Sequence, residues 1–437
     1  MEQFPFYIIL LLNVIVLTSG YLFIFIKGAR NHIVFTFSWL IFSVYYFITP
    51  LYFYLSGRKT IWGQDVEFMG LGEDISAYYT KGFAYFGLGI FSFLLGYLFI
   101  SKPPISLNIS SRFRNPITLV WIYWFFYILI LINFLIEGIN PLAILLGDES
   151  GRTLSESGGS NYIKNLSDSL ISCVIIASIF KIDRRHLILM ILLGSVLFLL
   201  MGFRYRIILL FIGIIIPWLH NNRFNFKNAL KLALYFFVSF YLILFITFNR
   251  FNFVYGKWDD LDYQLKEYGI VETLAEQTRG ALDDINIIKY YNTNETAQFD
   301  YGITFLYFIV RAAPRSLFGE WKDSMYPPPA FKIIHEAYNL PPYWGNTGEA
   351  PLFMAYFYIA GGFIGVIALC FLMGLSIGFF TMNGPSSNPR YLSLMCIFCC
   401  ALFMWYTRGY FPQFLDHLLF LLIPYFLFFK LFKHEKA

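Results

Sequence analysis

The sequence predicts an all-α polytopic integral membrane protein with about eleven transmembrane helices and a large, partly helical external loop between spans 8 and 9. Three observations predict it. The 437 residues are 58% hydrophobic and 21% aromatic, with only 14% charged, which is far from the composition of a soluble globular chain. Runs of about 20 apolar residues, the length that crosses a hydrocarbon core of roughly 30 Å as a helix, recur from end to end. Basic and acidic residues also segregate into alternate connections, as the preference of Lys and Arg for the cytoplasmic side requires.

The spans are expected near 5–26, 33–55, 82–100, 116–136, 165–180, 187–203, 206–219, 230–248, 350–380, 391–407 and 411–429. Phe6 to Ile26 is too long for the core of a cleaved signal peptide and has no basic region before it, so it reads as the first span. Lys27, Arg30, Lys102, Arg112, Arg184, Arg185, Arg223, Lys227 and Arg390 fall in one set of connections, which is cytoplasmic. Nearly all the carboxylates fall in the other set, roughly 56–81, 137–164 and 249–349, so the chemistry faces the extracytoplasmic side. The net charge of +5 is then a topology signal. With no basic stripe interleaved with aromatics in a soluble segment, nucleic acid is not an expected partner. Three regions follow: 1–248 with the first eight spans, 249–349 as the external loop, and 350–437 with the last three spans and a cytoplasmic tail.

Cys173, Cys370, Cys396, Cys399 and Cys400 all lie in expected spans, which leaves none to cross-link an external loop. CIFCC has C-x-x-C spacing but no His or carboxylate beside it, and it reads as small packing residues instead of a metal or redox site.

The external loop is the largest polar element. Its first part, KWDDLDYQLKEYGIVETLAEQTRGALDDINIIKYY, alternates charge with apolar residues at helical spacing and predicts one or two surface helices. Its apolar stretch from Ile303 to Val310 is too short to span before Arg311, so a re-entrant or interfacial segment is expected. MYPPPAFKIIHEAYNLPPYWGNTGEAP carries too much Pro and Gly for one continuous helix.

The run LLMGFRYRIILL places Arg204 and Arg206 within apolar sequence extending from Leu187 to Leu219. As one helix that run would reach on the order of 50 Å and would invert everything after it. Two short passes fit the charge pattern, with both arginines at an outer turn at head-group depth. Guanidinium groups there can hold phosphate through their planar fork, or simply snorkel to the surface. At i, i+2 they leave a helix on different faces, so one is expected to face the cleft and the other to support the turn.

In VRAAPRSLFGEWK, Arg311 and Arg315 with Lys322 form a second cationic group suited to a diphosphate, or to lipid phosphates at the interface. Pro314 between the arginines makes Arg315 the start of a new helix. Arg408, in WYTRGYF, is a third edge arginine, with Asp416 and His417 about two turns further in; a structural Asp416–Arg408 pair is the simplest expectation. The candidate bases are Glu349, where the loop meets the ninth span, His335 in FKIIHEAYNLPP as second choice, and then Glu336, Glu320 and Asp323. A carboxylate kept ionised by arginines can accept a proton from an alcohol, whereas near a helix N-terminus it can equally serve the dipole. No metal or other cofactor is signalled. WDDLD has D-x-D spacing on the side where nucleotide sugars are absent, and no P-loop, G-x-S-x-G or HExxH occurs.

Many spans, GFR at a short outer turn, a late external loop with R-x-x-P-R and then GEA, IAGGFIGV opening a span and a late TRG turn together resemble the Wzy-type polymerases of oligosaccharide repeat units, with the O-antigen ligases as near neighbours. The resemblance covers most of the chain as topology and about a tenth of it as motif. The R-x10-G repeats of some members are not found at Arg279, Arg311 or Arg315.

The resemblance implies a GT-C-like glycosyltransferase of the bacterial inner (cytoplasmic) membrane, working on its periplasmic face in lipopolysaccharide biosynthesis. Donor and acceptor would be undecaprenyl-diphosphate-linked glycans, with membrane lipids around them and a chain-length regulator as a further partner. In that scheme Arg204, Arg206, Arg311, Arg315, Lys322 and Arg408 bind the diphosphate, and Glu349 or His335 is the base, with Arg204 best matching the GFR position. An O-antigen ligase differs only in its acceptor. A lipid-linked oligosaccharide flippase would instead line a central cavity with its cations, and a secondary transporter would show paired broken helices.

Overall fold

The structure, a computed structural model, describes residues 3–60, 74–100, 116–136, 165–200, 204–221, 263–312, 319–321, 324–325, 327–338, 351–382 and 388–431, with Leu230, Leu234 and Tyr241. All regular structure among them is helical. In chain order we label α1 (Gln3–Lys27), α2 (Ile33–Leu55, with a π turn at Val44–Ile48), α3 (Tyr79–Ile100), α4 (Ile117–Ile136), α5 (Asp168–Ile179), α6 (Arg184–Leu200) and α7 (Arg204–Asn221). The later helices are α8 (Tyr263–Gln277), α9 (Gly280–Thr293), α10 (Ile303–Ala312), α11 (Pro329–Tyr338), α12 (Phe353–Met382), α13 (Pro389–Arg408) and α14 (Phe411–Phe426).

Seven helical stretches among the described residues are long and apolar enough to cross a membrane: Pro5–Lys27, Ile33–Leu55, Ser76–Ile100, Ile117–Ile136, Phe353–Thr381, Pro389–Arg408 and Phe411–Lys430. This is a polytopic membrane protein. Its lipid-facing surfaces show in the exposure of Leu11, Ile15, Phe25, Trp121 and Phe125, large apolar side chains that water would not tolerate in such numbers. Of the other four expected spans, 165–180 is the short helix α5, 187–203 and 206–219 are α6 and α7, and 230–248 lies outside the described residues apart from three positions.

The chain packs as two compact units. The first comprises Met1–Ile105, Leu274–Gly384 and Leu402–Leu415; the second comprises Ser106–Thr273, Pro385–Ala401 and Asp416–Ala437.

In the first unit α3 and α12 pack backbone to backbone. A Cβ at Gly96 would stand 2.0 Å from the Phe371 carbonyl, and one at Gly374 would stand 2.1 Å from that of Phe93, so small residues set the helix separation, as is usual within membranes. The π turn in α2 has a local cause. Pro50 has no N–H for the Tyr46 carbonyl, which loosens the turn that carries Tyr46. α12 is broken at Gly361–Gly362, where Gly362 has φ 63 and ψ −148, a conformation closed to L side chains. The Asp300 amide donates to the Ile359 carbonyl just before this break at 3.0 Å.

α9 departs from the sequence expectation of a surface helix: Ala281 to Ile288 are all buried. Asn286 donates to the Ala337 carbonyl of α11 at 2.8 Å, and Ile285 fills the notch at Gly82 of α3. The alternating pattern of the region reads as amphipathic, but neighbours cover the polar side too.

In the second unit α5 is enclosed from Asp168 to Ala177. The Ser169 and Ser172 hydroxyls donate to the Phe420 and Leu421 carbonyls of α14 at 2.8 and 2.5 Å. Pro424 has no N–H for the Phe420 carbonyl, so the serine satisfies a group that its own helix leaves open. Tyr123 of α4 donates to the Met190 carbonyl of α6 at 2.7 Å.

Candidate functional site

Glu349, Arg315, Lys322 and the Arg204 side chain lie outside the described residues, although Arg204 is the first residue of α7. The other expected site residues fall into two groups, one in each unit.

In the first unit, Arg311 and Arg408 lie beside Tyr410, and His335 stands on the helix whose Phe331 packs on that ring. α13 ends at Arg408, an exposed residue, and the chain reverses through Gly409, whose amide donates to the Trp405 carbonyl at 2.8 Å. Gly409 has φ 67, and a Cβ there would stand 2.5 Å from both the Pro351 carbonyl and the Tyr356 ring, so no other residue fits this helix end. The turn is thereby pressed against the start of α12. Tyr410 is buried, with its ring centroid 4.8 Å from that of Phe331 and 6.2 Å from that of Tyr356. The Arg311 guanidinium lies over the same ring, 6.0 Å from its centroid, at the outer limit of a cation–π contact. His335 is exposed one helical turn after Phe331 and shares its face of α11.

The helices that carry these groups are fixed at their starts. Both Asp300 carboxylate oxygens cap α10, accepting the Gly302 amide at 2.8 Å and the Thr304 amide at 3.2 Å. The Thr304 hydroxyl in turn accepts the Ala330 amide at the start of α11, at 3.1 Å. Tyr307 donates to the Met325 carbonyl at 2.9 Å. Arg311 and His335 are therefore held in register by one short network. Arg58, following α2, is paired with Glu276, which also accepts from Arg279 at 3.3 Å.

Asp284 of α9 holds the start of α12. It is fully buried, and its Oδ1 accepts the Leu352 amide at 2.8 Å. Burial pushes its carboxyl well above the usual carboxylate range, against the backbone amides of Leu352 and Ala355, which favour the ionised form. Tyr46, from the π turn of α2, accepts the Met354 amide at 3.2 Å, and its hydroxyl couples to the same carboxyl.

In the second unit, three residues far apart in sequence meet inside the bundle. Asp168 Oδ1 accepts from Arg206 Nε at 2.6 Å, while its Oδ2 is paired with His417 Nδ1. Arg206 Nη2 donates to Asn165 at 3.3 Å, and the guanidinium lies 5.3 Å from the Tyr205 ring centroid. That ring meets His417 edge-on at 5.6 Å. Asp168 and Arg206 are 0% exposed and His417 is 3% exposed. Arg206 is thus an enclosed brace and not an arm into a cleft, because presenting it to a diphosphate would strip Asp168 of its counter-charge.

Tyr410, Asp284 and Asp168 were not singled out from the sequence. A signal existed for each: an aromatic beside an arginine–glycine turn, two acids inside LDDINII, and an acid opening an apolar run. Among the described residues, no three His, Cys, Asp or Glu side chains gather as a metal site.

In comparisons with known proteins, no family model, no curated protein and no solved structure matches this chain.

Proposed function

We propose that this chain is a GT-C-like glycosyltransferase with about eleven spans that polymerises undecaprenyl-diphosphate-linked oligosaccharide repeat units at the periplasmic side of a bacterial inner membrane. The observation that carries the reading is the meeting of Arg311 and Arg408 at the turn that holds Tyr410, at the end of two spans that the charge pattern assigns to the outer side. The resemblance of GFR, R-x-x-P-R, GEA and TRG to the repeat-unit polymerases supports it from the sequence.

The reaction asks for little beyond this. The acceptor sugar hydroxyl attacks the anomeric carbon of the growing chain as the bond from that carbon to the lipid diphosphate breaks. The diphosphate leaves with the bonding electrons, and the hydroxyl proton passes to a base. Arg311 and Arg408 neutralise the charge that develops on the diphosphate, a role the family resemblance extends to Arg204, Arg315 and Lys322. Glu349 or His335 takes the proton. Holding two lipid-anchored substrates in one cleft supplies the remaining advantage by orientation.

Deleting the gene and resolving the surface lipopolysaccharide on a gel tests the reading. Loss of a polymerase leaves core carrying a single repeat unit. Bare core would make the enzyme a ligase, and an unchanged ladder would remove the glycan reading altogether.

A further inference from the structure

The start of α12 is gripped from two sides. On one side, Asp284 accepts the Leu352 amide at 2.8 Å, and Tyr46 accepts that of Met354 at 3.2 Å. On the other, Gly409 sits so close to Pro351 and Tyr356 that a Cβ would stand 2.5 Å from each, and Tyr410 packs on Tyr356 and Phe331. Leu352 to Ile359 are all buried, so this segment has no freedom to absorb a shift on one side without passing it to the other. Arg408 immediately precedes the gripped glycine, and Arg311 lies over the ring that follows it.

We propose that Asp284 is a positioning residue for the diphosphate-binding arginines, acting through the first turn of α12 on the Arg408–Tyr410 turn. The assignment of those arginines rests on the polymerase reading, whereas the mechanical link from Asp284 to the turn does not. Asp284 touches no substrate. Its part is to hold Leu352, and so Pro351 and Tyr356, where Gly409 can close on them. A fully buried acid is a costly way to pack a core, and its hold on the start of α12, beside the arginine turn, gives that cost a purpose.

The link can be read without any enzyme assay. All five native cysteines are buried, so Arg408→Cys adds a single exposed thiol on the turn. Its rate of modification by a membrane-impermeant maleimide, on the detergent-solubilised full chain, reports the position of the turn. Asp284→Ala in that background is expected to change the rate about fivefold or more, because the Leu352 amide loses its acceptor. Asp284→Asn keeps an acceptor oxygen at the same place and is expected to leave the rate within about twofold. If Asp284→Ala leaves the rate unaltered, or Asp284→Asn alters it as much as alanine would, the positioning role is overturned. Where the alanine variant does not fold, Asp284→Leu, which fills the same space without an acceptor, takes its place with the same expected change.

An activity arm then separates the two ideas. With lipid-linked repeat units as substrate, Asp284→Ala is expected to raise the donor KM about tenfold, yet to add less than twofold in an Arg408→Ala background, since both act through one group. Additive losses would contradict a route through Arg408. A labelling shift in a protein that elongates no glycan would keep the link and discard the polymerase.

Discussion

Both units of this protein bring charges from distant parts of the sequence together, and they do so in opposite ways. In the second unit Asp168 meets Arg206 and His417 in the interior, with Asn165 and Tyr205 against the guanidinium. In the first unit Arg408 is exposed and Arg311 half-buried, and what fixes them is a glycine turn, an aromatic ring and the caps of short helices. Charges that are enclosed and matched hold helices in register. Charges that are placed by packing and left at a surface can meet a ligand.

The contrast breaks first if the buried cluster is dispensable. Asp168→Ala or Arg206→Ala strands a charge in the interior, and each is expected to cost about 3–5 kcal/mol. Thermal unfolding in detergent would read this, as loss of monodisperse protein in the extreme case. Replacing Asp168 by Leu and Arg206 by Met together should recover most of the loss. Arg311→Ala and Arg408→Ala should unfold within about 1 kcal/mol of the parent while losing elongation on the order of a hundredfold. An Arg206 variant as stable as the parent would erase the distinction between the units.

Next in size is Gly409→Ala. With φ 67 and no room for a Cβ, it is expected to cost about 1–3 kcal/mol and to displace the arginine turn. Unfolding together with the donor KM checks it.

A smaller effect is tied to pH. Burial raises the Asp284 carboxyl well above its ordinary 3.8, which means that the folded protein favours the neutral form. The stability this confers relative to Asp284→Asn is fully present below the ordinary value and is lost as pH rises toward the folded value. Unfolding both proteins over a pH series from about 4 to 8 should show the parent losing ground to the Asn variant as pH increases. A parent that gains ground instead would make the α12 cap an ionised one.

The smallest change is expected at Glu276, which is paired with Arg58 and Arg279 near the surface. Glu276→Gln should cost roughly 1 kcal/mol or less, and less again in high salt.

How much of this was legible depended on whether the signal was local. Hydrocarbon demands a helix of a fixed length, so 5–26, 33–55 and 116–136 read from the sequence fall within a residue or two of Pro5–Lys27, Ile33–Leu55 and Ile117–Ile136. The break in α12 was visible as the glycine pair in IAGGFIGV, but a span-length average of hydropathy passes over it. α9 could not be placed, because its burial is imposed by α3, α11 and α12 and not by its own pattern. The edge positions of Arg311 and Arg408 were legible in the sequence. The partners of Arg206 were not, since Asp168 stands 38 residues from it and 249 from His417, and nothing periodic joins such positions. Tyr410 was passed over for a similar reason: in a chain with 32 tyrosines, only its neighbours in space mark it out.

The central claim is that the cationic turn at Tyr410 serves glycan polymerisation, and reconstitution tests it most directly. Purified protein in liposomes, supplied with undecaprenyl-diphosphate-linked repeat units and resolved by gel electrophoresis, should convert single units into a ladder. Arg311→Ala and Arg408→Ala in the same liposomes should leave mostly single units. No ladder from the parent protein, or equal ladders from parent and both variants, would contradict it.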